Sequence, residues 1–427
     1  MKILLINYRY FVSGGPERYM FNVQDALTAN GHQVIPFSIN YSVNVANEYS
    51  SYFVSPLDES GSIYFNEHKS GLKTYLKTIE RLFYSDEVEQ ALLRLIDDVK
   101  PDVAYVLHYL RKLSPSVLAA LKKRKVPIVV RLSDYQMLCP QAHCLRDDLP
   151  CEKCVGGSLL PSIKYKCVKG SLAASVLNFA ATKYHLAKGY FDYIDRFVVT
   201  NEFAKSMMMK GGFSEDRLEV IPTFAEVGKA GYVSKNDGDY ITYVGRLDPT
   251  KGVDILIRAF IMMCNTSHTD GLKLVIMGEG SSDYMNLLKT MVLSHGLEAR
   301  IKFTGRLAKE EVDVYLASSL LSVVPSRWYE NLPNSVLESY AVGTPVVASN
   351  IGSLPELVVA GQTGELFEMG NADDLAQKLT KLTQDRALLG SLSEACKGVI
   401  EGKYSRKAHL SKLENLFADV ISCSGRA

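Results

Sequence analysis

At 427 residues the chain is too long for one ordinary hydrophobic core and suits two domains of roughly 200 residues each. With 47% hydrophobic and 22% charged residues it has the make-up of a globular protein, which excludes general disorder. A formal net charge of +1 excludes the basic excess of a duplex nucleic-acid binder, and no apolar run approaches the roughly 18 residues that cross a bilayer.

In chain order, the first predicted element is a strand over Lys2–Asn7, whose four-residue apolar run is too short for a signal-peptide core. A cytoplasmic protein is expected, with peripheral contact at the inner membrane face. Ser13-Gly14-Gly15-Pro16-Glu17-Arg18 follows, and a helix opens near Pro16, where the fixed φ of proline suits a first turn. Gly14 and Gly15 permit close backbone approach to a ligand beside the positive potential of a helix start. The same Gly-Gly-Pro turn is also a plain way to join a strand to a helix.

Further strands are predicted at Gln33–Ser38, Val103–His108, Ile128–Leu132 and Phe197–Thr200. Alternation with helical patterns makes these βαβ units in a parallel sheet. Ligands of such sheets sit beyond the carboxyl ends of the strands. His108 ends one strand and Asp134 follows another, so both are candidate catalytic residues; the competing readings are a packed histidine and a capping aspartate.

Five cysteines fall between Cys139 and Cys167. Cys151-Glu-Lys-Cys154 has zinc-knuckle spacing, and Cys139 with Cys167 completes a four-sulfur set, with His143 and Cys144 as alternative ligands. A structural zinc remote from the chemistry is expected, against free thiols or a redox pair. From Leu159 to Phe191 there is no acidic residue, while Lys164, Lys166, Lys169, Lys183 and Lys188 are interspersed with apolar side chains. That reads as a basic amphipathic stretch for an anionic membrane surface, or as an ordinary surface helix.

A polar, aperiodic segment from Ile221 to Asp239, with Gly228, Gly231 and Gly238, divides the chain. Residues 1–222 form the expected first domain and 223–404 the second, with 405–427 packing back on the first. In the second half, strands are predicted at Tyr240–Val244, Lys273–Met277, Ile301–Phe303, Leu320–Val324, Pro345–Ala348 and Glu365–Phe367. Helical patterns lie between them near 252–263, 283–295, 309–318, 333–342 and 372–383. The fold class is α/β, two Rossmann-like domains facing a cleft.

The second-half motifs sit just after strands. Gly245-Arg246-Leu247 and Lys251-Gly252 follow the first; Gly245 permits close approach, and Arg246 and Lys251 place two cations that offset a leaving diphosphate. Glu330 lies in a strand-to-helix loop, and Pro333 suits the first position of the helix beyond it. The amides of Asn334 and Ser335 point out of the helix start, where phosphate oxygens are favoured. Glu338, more than a turn inside, suits a vicinal diol such as a ribose. Gly352-Ser353-Leu354 offers further amides to a nucleotide or donor sugar. Gly278-Glu279-Gly280 begins a dinucleotide fingerprint but has Asp283 where the third glycine would stand, which argues against a dinucleotide dehydrogenase.

Gly245-Arg246-Leu247, Lys251-Gly252, Gly278-Glu279-Gly280, Glu330-x7-Glu338 and Gly343-Thr344-Pro345-Val346-Val347, in that order, resemble the GT-B retaining glycosyltransferases of the Glu-x7-Glu type, glycosyltransferase family 4. The resemblance spans Gly245 to Gly364. It implies a GT-B fold and retaining hexosyl transfer from a UDP- or GDP-sugar to a glycan or lipid-linked hydroxyl without a catalytic metal, as in surface polysaccharide or glycoconjugate assembly. Carried over, Arg246 and Lys251 hold the diphosphate, Glu338 the ribose and Glu330 a hydroxyl of the donor sugar, while Gly14 and Gly15 match the glycine-rich loop of the first domain. The chain departs from the family at Ser133, where many relatives carry a histidine before the aspartate, so a histidine role at that position is in doubt and His108 is the substitute on offer. The alternative functions are a sugar-nucleotide epimerase and a catalytically inactive sugar-nucleotide-binding protein.

Overall fold

The computed structural model describes residues 1–57, 71–226, 238–266 and 271–425. The first domain runs β1 (Lys2–Ile6), α1 (Gly15–Ala29), β2 (Gln33–Phe37), α2 (Leu72–Phe83), α3 (Asp86–Val99), β3 (Val103–Val106), α4 (Ser116–Lys123) and β4 (Ile128–Arg131). It continues through a small hairpin, β5 (Leu145–Arg146) and β6 (Leu149–Pro150), then α5 (Leu160–Lys164), α6 (Leu172–Ala187), β7 (Arg196–Val199), α7 (Glu202–Lys210) and β8 (Leu218–Val220). The second comprises β9 (Tyr240–Val244), α8 (Val253–Thr266), β10 (Lys273–Met277), α9 (Ser282–Leu293), β11 (Ile301–Gly305), α10 (Lys309–Ala317), β12 (Ser322–Val324), α11 (Asn334–Ala341) and β13 (Val346–Ser349). It closes with α12 (Leu354–Leu357), β14 (Gly364–Phe367), α13 (Ala372–Gln384) and α14 (Arg386–Glu401), before a last helix, α15 (Arg406–Cys423).

Each large sheet has six parallel strands, in the orders β2-β1-β3-β4-β7-β8 and β11-β10-β9-β12-β13-β14. Helices cover both faces, which is why β1 reads Ile-Leu-Leu-Ile and is buried along that whole run. The order reverses between β1 and β3 in one sheet and between β9 and β12 in the other. Loops that diverge at such a reversal leave a crevice. The loops concerned are those after β1 and β3, with Gly14, Gly15 and His108, and those after β9 and β12, with Arg246, Lys251 and Glu330. Topology thus gathers the motif residues at one end of each sheet.

Several details differ from the sequence expectation. β8 is an extra strand, pairing Phe197 with Leu218; at three residues it is too short for a period to be read. Pro333 precedes α11 as its N-cap with extended backbone, one residue earlier than expected. Gly228 and Gly231 of the expected linker lie outside the described residues. α15, in the segment expected to pack back on the first domain, lies against the first sheet: Leu413 and Phe417 join Ile3 and Leu5 in one cluster, Phe417 meets Tyr105 at 5.5 Å, and His409 Nδ1 lies 2.7 Å from Pro222 O.

The expected four-sulfur zinc site at Cys139, Cys151, Cys154 and Cys167 is not formed. Among the described residues no three His, Cys, Asp or Glu side chains converge as a metal-binding group. Cys139 and Cys144 are buried, whereas Cys151, Cys154 and Cys167 are partly exposed. The Cys139 and Cys144 thiols hydrogen-bond each other, an interaction that lowers Cys139 to about 6 against the effect of burial.

Candidate active site

On the second-domain wall the β9 and β12 loops are packed without room for side chains between them. Gly252 has φ +68°, and a Cβ there would lie 2.0 Å from Pro325 O. This contact delivers Lys251 to Glu330, Nζ to Oε1 at 2.6 Å, with Ser326 Oγ donating to the same oxygen at 2.5 Å. Glu330 is 6% exposed. Burial alone would raise its carboxyl, but the Lys251 ion pair and the Ser326 hydroxyl hold it below the ordinary value. Lys251 also lies 4.9 Å from the centre of the Trp328 ring, and Ser353 Oγ donates to Glu330 O at 2.8 Å. Arg246 stays exposed at the rim.

α11 begins beside this pair. Its first bonded amide is Val336, to Pro333 O at 3.1 Å, so the amides of Asn334 and Ser335 have no helical partner. The glycine loop of the first domain comes to the same helix start: a Cβ on Gly15 would lie 2.7 Å from Asn334 Nδ2. One turn on, Glu338 Oε1 accepts from Arg18 Nη1 at 2.7 Å, an ion pair between the domains. Both side chains line a cleft cavity of about 440 Å³ with Asn334, Lys309, Asn22 and Thr223, a volume suited to a nucleotide-sized ligand. Arg18 had no place in the sequence reading; its position one turn into the helix after the Gly-Gly loop was the available signal.

On the facing wall His108 and Asp134, read separately from sequence, form a pair: Nε2 to Oδ2 is 3.5 Å. Burial works against ionising Asp134, but the His108 hydrogen bond, the Gln136 amide at 2.8 Å and the Arg111 charge hold its carboxyl low. His108 Nδ1 is buried without a partner among the described residues. Ser133 lines a cavity of about 20 Å³ with both residues, room for about one water.

The insert carrying the cysteines reaches across the cleft, which its spacing did not foretell. His143 packs on Trp328 with ring centres 5.3 Å apart, and burial depresses its protonation. Glu152 accepts from Tyr329 Oη at 2.7 Å. Other bonds hold the walls together: Glu356 accepts from the amides of Glu202 and Phe203 at the start of α7, at 2.8 and 2.6 Å. Asn331 donates to Leu132 O at 2.9 Å.

Two residues singled out from sequence have structural work. Gly278 closes against the neighbouring loop, where a Cβ would lie 1.8 Å from Gly245 O. Leu354 is fully buried, and its amide bonds Ile351 O at 3.1 Å within its own turn.

Residues 227–399 match the family model described as Glycosyl transferases group 1. The D-inositol 3-phosphate glycosyltransferase of Corynebacterium aurimucosum is 34% identical over 189 residues, 43% of either chain. The match thus spans under half the length of that curated relative. Among solved structures, sucrose-phosphate synthase from Thermosynechococcus elongatus superposes with a TM-score of 0.71 at 18% identity, over 99% of each chain. Anabaena Alr3699/HepE in complex with UDP gives 0.65 at 16% identity, over 98% of this chain and 100% of that one. The fold is therefore GT-B over the length of the chain.

Proposed function

We propose, from the match of residues 227–399 to the glycosyl transferases group 1 model, that the protein moves a hexose-type sugar from a UDP- or GDP-sugar to a hydroxyl of a glycan or glycolipid, with retention. The setting is surface polysaccharide or glycoconjugate assembly at the cytoplasmic face of a membrane. The observation carrying this reading is the pairing of each glutamate of the Glu330–Glu338 segment with a cation on either side of a helix start: Glu330 with Lys251, Glu338 with Arg18. That spacing suits the sugar, diphosphate and ribose of one donor. The UDP held by the Anabaena neighbour supports a uridine nucleotide as the first to try.

In the mechanism, Arg246, Lys251 and the amides of Asn334 and Ser335 stabilise the charge that grows on the departing nucleoside diphosphate. The bond from the anomeric carbon to the β-phosphate oxygen breaks. The acceptor oxygen bonds to that carbon on the same face, and its proton passes to the leaving phosphate. Glu330, ionised and fixed, accepts a hydroxyl of the donor sugar. His108, oriented by Asp134, stands on the acceptor side. His108→Gln should then lower kcat about a hundredfold with the donor KM little changed. Steady-state rates against donor concentration check this; an unchanged kcat removes His108 from the site.

A thermal-shift screen against UDP-, GDP- and ADP-sugars tests the donor assignment. Stabilisation by a UDP- or GDP-sugar is expected, and a response to none of them would sink it. An epimerase would make a new sugar from UDP-GlcNAc without an acceptor; none is expected here.

A further inference from the structure

α6 is built inside out. Its inward stripe carries Ser175, Asn178, Thr182 and His185, with His185 Nε2 3.0 Å from Leu82 O. Its outward stripe, at helical spacing, carries Leu172, Val176, Ala180, Lys183 and Ala187, flanked by Leu186. Leu172, Val176 and Leu186, with Leu160 on the adjoining α5, are 44–60% exposed. A helix facing water normally shows the opposite arrangement, so an outward apolar stripe marks a binding surface. Tyr165 is exposed beside it. Lys164, Lys166, Lys169, Lys183 and Lys188 are exposed around these side chains, with no acidic residue from 159 to 191.

We infer that the α5–α6 face docks the protein on an anionic lipid bilayer, with Leu160, Leu172, Val176 and Leu186 entering the interface and the lysines meeting lipid phosphates. Charge chooses this occupant. A second copy would set five lysines against five lysines, whereas an anionic surface attracts them all. Position gives the docking a use. The inward side of α6 lines a cavity with Arg111 and Gln136, and Gln136 also lines the His108–Asp134 cavity. The membrane face thus lies directly behind the proposed acceptor side, and this use rests on the glycolipid acceptor proposed above.

Co-sedimentation with phosphatidylcholine vesicles, with and without phosphatidylglycerol, tests the surface. The protein should pellet with the anionic vesicles only, and less as salt rises. Each of Lys164→Gln, Lys183→Gln and Lys188→Gln should weaken binding about fivefold, and Leu172→Ser/Val176→Ser/Leu186→Ser should abolish it. The nucleotide-sugar thermal shift should be unchanged in all of them, which shows that each variant is folded. No pelleting, equal pelleting with neutral vesicles, or a dimer that dissociates in the triple-serine variant would overturn the inference. Transfer to a soluble acceptor analogue separates the two readings. If it persists while vesicle binding fails, the docking surface alone is wrong; if it never occurs, the functional reading is wrong.

Discussion

Lys251→Ala should abolish sugar transfer and lower thermal stability together, because one ammonium serves two ends. Loss of a cation aimed at the leaving diphosphate should cut turnover about 10³-fold. The same change leaves Glu330, 6% exposed, without its counter-ion. An uncompensated buried carboxylate costs up to about 3–5 kcal/mol. Lys251 keeps 18% of its side chain in solvent, which places the loss at the low end of that range. Tm should fall by roughly 6–10 °C for a domain of this size.

Two controls separate the effects. Lys251→Ala/Glu330→Gln should recover most of the stability and none of the transfer, since a neutral amide needs no counter-ion. The other control is pH. In the wild type the carboxyl of Glu330 is held below its ordinary value of 4.5, so its contribution is complete above that pH and is lost as pH falls through the depressed value. Without Lys251 burial dominates and raises the carboxyl, so the deficit of the variant should shrink as pH falls and the group takes up its proton. A deficit that does not change with pH would contradict this origin.

Glu338→Ala should weaken nucleoside diphosphate binding about 30–100-fold, the equivalent of about 2–3 kcal/mol for a carboxylate that accepts from two hydroxyls. The Arg18 ion pair does not stand in the way of a ribose. Arg18 is 42% exposed, and exposed pairs contribute no more than about 1 kcal/mol, so two well-aligned hydroxyls displace it. Titration with a nucleotide and its 2′,3′-dideoxy analogue discriminates: the variant should bind both alike, while the wild type should prefer the hydroxylated form. Equal affinity of the wild type for both would remove Glu338 from the ribose.

Strands were legible because both faces of a parallel sheet are buried, so β1, β10 and β13 spell their cores in aliphatic runs. Donor-wall residues were legible for a related reason: they occupy the first loop positions after strands, and a parallel sheet sends those positions to one rim. Partnerships were not legible. Arg18 and Glu338 are separated by 320 positions and Lys251 and Glu330 by 79, and no local period encodes a contact closed between two domains or between two distant loops of one. The cysteine insert misled for the opposite reason. Its Cys-x-x-Cys spacing fits a zinc knuckle locally, yet some of its sulfurs are buried and others partly exposed, and His143, an alternative ligand, packs on Trp328.

The central claim is tested most directly by the transferred sugar itself. Incubating the protein with an α-linked UDP- or GDP-hexose and a glycan or glycolipid acceptor, and reading the anomeric proton coupling of the product by NMR, should give an α-linked product. Nucleoside diphosphate should be released in equal amount. A β-linked product would contradict retention, and an epimerised sugar or no transfer from any donor would contradict the assignment of the Glu330–Glu338 segment to donor chemistry.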